Sequence, residues 1–550
     1  MLPLLAQLVA PPLQPGPVRL PGAGHQRTLP ETPRPNVPVP DAAPPTPFAP
    51  GPTTPLPRVR GFLPYPPPEL ARILGDCGAT SDPTERLDRC ATALRARLFA
   101  DGYINSRVNT HPDPAPGELE VVAGRIESIQ VISSSSRLQR RLLGLLRPLE
   151  GGMLHLPSLS NALNELQRLP GVGLLKSNLN RIGEDSSRAL LVVRVEPSAP
   201  ATRGEVSLRN DGNSGSGQFR GLATLVRDGA LMPGDTLLLF GELNTDSDPE
   251  IGSLEGSLSY VMPLLPSLSL TTALGTSRRH LVEADPPLRG LSTRQLQLFN
   301  QLDLTLRESL RDRWTAFAGL SVNRNDAFLY GDRFPVIPGG GDGGWLRTGF
   351  LRLGLGYDRL VGSWGLKASV YGLQGIGALS TDAQRQEQRF LGIQADEARA
   401  IGSQLSTTWT LAPRWVVDLR AAGQIAFNPL TSPMGFSLGS DNGLRGLPGQ
   451  VVSGDSGVLG AVDLAWLVWR GPGDALQLVP FLGGGSVWTQ VPGARLNDSV
   501  GAGGILLRWT RGRHGVLELG WVKQFGSDSR VIWDQWLLGS GVYTKLLYRF

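Results

Sequence analysis

Hydrophobic and polar positions change their period part-way along the 550-residue chain. From Arg203 to Phe550, apolar residues recur at every second position in one short run after another. Examples are Glu205–Asn210, Thr236–Leu243, Leu254–Tyr260, Trp314–Leu320 and Trp415–Arg420. Leu, Val, Phe and Trp alternate there with Gly, Ser, Thr, Arg and Asp, and turn signals such as Met232-Pro233-Gly234-Asp235 separate the runs. The pattern predicts strands with one apolar face. A soluble sandwich gives the same period, but the length of continuous pattern and the Trp and Tyr residues near strand ends favour a membrane barrel. At roughly 20 residues per tilted strand and connection, the stretch accommodates about 16 strands. Closure would leave no unpaired edge for the bilayer to penalise.

Between residues 58 and 198 the period is mixed. Glu69–Leu74 and Glu85–Ala100 read as helices, the second with Leu87, Ala91, Leu94 and Leu98 on one face. Strands are expected at Ser106–Thr110 and Glu118–Val122, around the turn Pro114-Ala115-Pro116-Gly117. The pattern then repeats: strand Ile126–Ile132, helices Leu138–Leu146 and Leu159–Leu169, strands Leu174–Arg181 and Ala189–Val195. The order is two copies of a βααββ module. Ahead of them, Pro11 to Pro57 is proline-rich and reads as an extended tether, and Met1–Ala10 is apolar without a basic start.

Composition fits this layout. Only 18% of residues are charged and mean hydropathy is -0.08. No run approaches the eighteen or so apolar residues of a spanning helix. A formal charge of +5 without a basic, aromatic-interleaved run gives no nucleic-acid footprint. No P-loop, G-x-S-x-G elbow, H-E-x-x-H or metal-ligand cluster occurs, so no catalysis, cofactor or metal is expected. The two cysteines, Cys77 and Cys90, stand thirteen positions apart beside helical sequence. They could close a disulfide in an oxidising compartment or remain two buried thiols.

Six stretches carry a family resemblance. Ala100-Asp101-Gly102-Tyr103-Ile104-Asn105-Ser106-Arg107, with Gly117–Ile129, resembles a ShlB-type POTRA domain, and Asn164–Val172 resembles part of a second. The loop Ser440-Asp441-Asn442-Gly443-Leu444-Arg445-Gly446-Leu447 resembles the V-R-G-[YF] loop tip of the Omp85 and two-partner-secretion superfamily, and Ser453–Gly457 its following S-G-D-x-G. The C-terminal strand, with Val542, Thr544, Leu546, Tyr548 and Phe550 on one side, resembles an outer-membrane barrel signal. Together these look like a TpsB transporter of the ShlB/FhaC/HecB haemolysin secretion and activation type.

The resemblance implies an N-terminal segment and linker (1–57), POTRA domains at 58–125 and 126–199, and a barrel at 200–550. A loop near 435–457 would fold inward, and Gly443, Leu444, Arg445, Gly446 and Asp455 would form its gating motif. Tyr548 and Phe550 would be read by the barrel-assembly machinery. The implied partners are a secreted TpsA-type exoprotein and outer-membrane lipid, with the chain acting as a monomer in the outer membrane and its POTRA domains in the periplasm. Alternatives are an Omp85-type assembly or lipid-export factor, or a passive porin.

The family's arginine pairs with an acid on the inner wall, in the motif F-x-D-x-G. Here that motif reads Phe481-Leu482-Gly483-Gly484-Gly485, so Gly483 stands where the acid is expected, and Leu447 replaces an aromatic. By chain region alone, Asp455, Asp463 and Glu518 are candidate partners of Arg445. The family also carries a plug helix ahead of its linker, but Pro11, Pro12, Pro15 and Pro17 break any helix here.

Overall fold

The computed structural model describes residues 57–75, 77, 82–113, 117–167, 169, 171–183, 185–197, 201–232, 234–283, 288–341, 343–490, 497–526 and 533–550. The expectations for residues 1–56 and for the tip of the 114–117 turn lie outside the described residues. The chain divides into two compact units, with the division falling near residue 200 along the sequence.

In the N-terminal unit, β1 (Arg58–Gly61) is followed by helices Pro67–Gly75 and Pro83–Ala100, then β2 (Arg107–His111) and β3 (Glu118–Val122). The order across the sheet is β1-β3-β2. Asp82 caps the longer helix by accepting from the Thr84 amide, and Pro83 suits a first-turn position. The face Leu87, Ala91, Leu94 and Leu98 packs on Val108, Leu119 and Val121. A disulfide joins Cys77 to Cys90, with Cα atoms 4.9 Å apart, and staples the first helix to the second.

The second module repeats the order with β4 (Arg125–Ile132), helices Ser136–Leu146 and Leu156–Gln167, β5 (Val172–Ile182) and β6 (Asp185–Pro197). Its sheet order is β4-β6-β5, which leaves β5 at an edge. The elements fall where expected but with shifted bounds: β4, both helices, β5 and β6 all begin earlier, β5 and β6 also run further, and the second helix ends at Gln167, two residues before Leu169. The modules are joined by polar contacts, including Asn105 Nδ2 donating to the Ser187 carbonyl (2.9 Å) and the Leu156 amide donating to the Gly102 carbonyl (2.9 Å).

The C-terminal unit is a closed antiparallel barrel of sixteen long strands. Its first half comprises β7 (Ala201–Arg209), β8 (Phe219–Asp228), β9 (Thr236–Thr245), β10 (Ile251–Leu265), β11 (Leu268–His280), β12 (Leu291–Glu308) and β13 (Asp312–Leu329), with the short β14 (Asp332–Arg333). Then come β15 (Trp345–Val361), β16 (Trp364–Gly375), β17 (Arg399–Ala412) and β18 (Trp415–Ala426). After a loop containing β19 (Phe436–Leu438) and β20 (Val452–Gly454), β21 (Ser456–Arg470), β22 (Asp474–Trp488), β23 (Asn497–Arg511), β24 (Gly515–Gly526) and β25 (Val542–Arg549) complete it. The barrel closes where β25 pairs with β7. Phe550 extends that pairing, since its amide and carbonyl bond the carbonyl and amide of Gly204 at 3.0 Å. A Cβ at residue 204 would meet the Phe550 ring, so glycine makes room for it.

The alternation runs opposite to that of a soluble protein. On β12, Leu296, Leu298, Leu302 and Leu304 are exposed while Gln295 and Gln297 are buried. On β15 Leu351, Leu353 and Leu355 point out while Arg352 points in. A continuous leucine belt around a polar interior needs hydrocarbon outside. Aromatics gather where turns are short: Trp314 packs on Tyr357 (4.5 Å between ring centroids), Trp415 stacks on Trp466 (5.6 Å), and Trp364 and Trp409 pair in register. Such girdles mark the membrane–water interface. Among the described residues, no helix is long and apolar enough to cross a membrane.

Candidate functional site

The connection from β18 to β21, residues 427–455, turns into the barrel. Its β19 and β20 pair with each other, and beyond them the tip closes through bonds from the Ser440 amide to the Pro448 carbonyl (2.8 Å) and from the Asp441 amide to the Gly449 carbonyl (3.0 Å). The tip depends on two glycines in the left-handed region, Gly443 (φ +94°) and Gly446 (φ +83°). Gly446 also lies against the wall, where a Cβ would come within 2.5 Å of Val522 Cγ1. Its carbonyl accepts from Gln524 Nε2 at 2.7 Å.

Arg445 ends between two acids. Its Nη1 donates to Glu518 Oε2 on β24 (2.8 Å) and its Nη2 to Asp463 Oδ2 on β21 (3.3 Å). Each acid has a second cation: Arg508 Nε donates to Glu518 Oε1 (2.7 Å), and Arg420 Nη2 to Asp463 Oδ2 (2.6 Å). The result is a row of alternating charge, Arg420–Asp463–Arg445–Glu518–Arg508. Glu518 and Asp463 are almost completely buried, and charges so shielded from water interact more strongly and are less screened by salt than surface pairs. Glu518 and Asp463 thus meet Arg445, whereas Asp455 does not. Its carboxylate accepts instead from the Leu430 and Gln490 amides (3.0 and 2.6 Å) and ties down the base of the loop.

The wall motif has exchanged charge for hydrophobic contact. Phe481, Gly483 and Gly485 face the lumen on β22. A Cβ at residue 483 would lie 3.2 Å from Leu444 Cδ2, and one at residue 485 would lie 2.7 Å from Leu438 Cδ2. Leu444 and Leu447 are fully buried in one cluster with Phe481, Ala502 and Val522. The position expected to hold the acid is therefore covered by leucine, and the carboxylates come from β21, next to β22, and from β24, two strands away on the other side. Trp533 and Trp536, from the β24–β25 connection, join the same cluster, and Trp533 Nε1 donates to Gln524 Oε1 at 2.8 Å. At the far end of the chain, Tyr548 and Phe550 are exposed on the outer face.

Arg420 and Arg508 escaped the reading of the sequence. Their signal was present as arginines at lumen-facing positions of their strands, but parity alone does not say which strands adjoin the loop.

A polar-lined barrel with a leucine belt, entered by its own loop, defines a membrane-spanning β-barrel protein. The chain belongs to the family described as haemolysin secretion/activation protein ShlB/FhaC/HecB, whose model matches residues 188–505, from within β6 to within β23. It is accordingly an outer-membrane transporter of this family. The fold is also that of CdiB from Escherichia coli (16% identity, 92% of this chain and 93% of that chain covered, TM-score 0.58). CdiB from Acinetobacter baumannii is similar too (16% identity, 90% and 89% covered, TM-score 0.54). No curated protein sequence matches the chain.

Proposed function

We propose that this transporter secretes an unfolded partner exoprotein of the TpsA type, with its βααββ modules in the periplasm and its barrel acting as a monomer in outer-membrane lipid. The observation that carries the reading is the inward loop held by Arg445 on Glu518 and Asp463. A passive pore has no need of a charge row buried under a loop folded into its lumen. An unfolded client exposes unpaired backbone groups, and the edge strand β5, eleven residues long and largely exposed, offers a partner for strand addition. Main-chain bonds there would hold many sequences, and flanking side chains would select one. The client then threads through the lumen as Gly443-Leu444-Arg445-Gly446 leaves the wall, while Asp455 keeps the loop base in place. Folding outside makes the passage directional without a nucleotide. Tyr548 and Phe550 serve earlier, when the barrel-assembly machinery inserts the chain.

The test is deletion of the gene, with the co-encoded exoprotein measured in the medium and outer-membrane barrel proteins measured in the envelope. Loss of the exoprotein with normal barrel levels is expected. Unchanged secretion with a general loss of barrel proteins would mean an assembly factor instead, and no change in either would mean a passive porin.

A further inference from the structure

The loop tip carries a second charge that the Arg445 row does not use. Asp441 precedes Arg445 by four residues on the same closed hairpin. Its Oδ1 accepts from Arg220 Nη1 at 2.6 Å, and Arg220 Nη2 donates to Glu242 Oε2 at 2.5 Å. Arg220 on β8 and Glu242 on β9 are buried, with side chains 3% and 5% exposed. The loop backbone lies against the same wall, since the Gly449 amide donates to the Gly212 carbonyl at 2.8 Å. A Cβ at residue 449 would come within 2.3 Å of Asn213 Oδ1 and 3.1 Å of Arg220 Nη1.

These two anchors have opposite polarity and stand on opposite sides of the barrel's closure. Around the barrel the order is β21-β22-β23-β24-β25-β7-β8-β9. Arg445 holds β21 and β24, whereas Asp441 holds β8, so the tip spans the junction of first and last strands. That junction is short, running from Lys545 opposite Arg209 to Arg549 opposite Glu205. One of its pairs sets Lys545 opposite Arg209, and each cation has an acid beside it: Arg209 Nη2 bonds Asp211, and Lys545 stands opposite Glu518 on β24. The side chain of Asn210 continues it, donating to the Val542 carbonyl (2.7 Å) and accepting from the Thr544 amide (2.8 Å).

We infer that the inward loop is a brace across the β25–β7 closure, with Asp441 and Arg220 as the positioning pair on its far side. The loop thus keeps this short junction shut for as long as it occupies the lumen. This goes beyond the secretion reading and does not depend on any client.

The experiment is hydrogen exchange by mass spectrometry on the purified full chain in detergent micelles, comparing wild type with Asp441→Asn and Asp441→Glu. Asp441→Asn leaves Arg220 paired with Glu242, so the barrel retains its buried pair. Asp441→Asn keeps an acceptor oxygen but removes its charge, and this is expected to raise exchange at residues 205–210 and 543–549 about tenfold, with β12 and β13 unchanged and Asp441→Glu near wild type. Unchanged exchange at the closure, equal acceleration at β12 and β13, or acceleration that glutamate does not reverse overturns the brace. Exchange needs no exoprotein, so a failure of the secretion reading would leave this outcome untouched.

Discussion

Replacing Arg445 with glutamine removes the middle cation of the row Arg420–Asp463–Arg445–Glu518–Arg508. Stranding a buried carboxylate usually costs about 3–5 kcal/mol. Here neither acid is stranded, because Glu518 keeps Arg508 and Asp463 keeps Arg420. The loss is closer to that of a charge-assisted hydrogen bond, about 1.5–3 kcal/mol. Taking about 2 kcal/mol, the balance between seated and displaced loop moves by roughly 30-fold. The leucines are a stronger anchor. Leu447 is fully buried, and truncation of such a side chain to alanine costs about 2–5 kcal/mol. Single-channel conductance of the purified protein in planar bilayers reads the loop directly. Arg445→Gln is expected to lengthen or multiply large-conductance openings, and Leu447→Ala to do so further. If both variants keep the wild-type conductance pattern, the loop does not control the pore and the reasoning fails.

Three further predictions concern single features of the structure. Gly483→Asp introduces the wall acid that the resemblance leads one to expect but buries it against Leu444 and Ala461, so it is expected to destabilise the seated loop by about 1–3 kcal/mol rather than strengthen it, seen as larger conductance. The double change Cys77→Ala with Cys90→Ala opens a short loop worth about 3 kcal/mol, and faster hydrogen exchange in Pro83–Ala100 than in Leu156–Gln167 is the expected readout. Glu127 bonds Arg188 across β4 and β6, which holds its carboxyl below the usual carboxylate range. That pairing contributes stability above the ordinary carboxylate pKa and loses it as pH falls through the lowered value. Arg188→Gln should therefore flatten the acid limb of a thermal-melting profile against pH, and an unchanged limb would count against it.

The alternating period of residues 203–550 and the βααββ order of residues 58–198 were legible without coordinates, because periodicity is a local property of strands and helices. The loop tip was legible too, since Gly443 and Gly446 surround an arginine where little else could turn. Its partners were not. Gly483 suggested only a loss, whereas the folded barrel shows Leu444 covering that position and Glu518 and Asp463 supplying the charge from strands 73 and 18 residues away in sequence. Nor could the sequence reveal that Asp441 faces Arg220, 221 residues away. Inward-facing residues can be recognised strand by strand. Which of them meet across a lumen depends on stagger, closure and the path of one loop, and those are set only when all sixteen strands have paired.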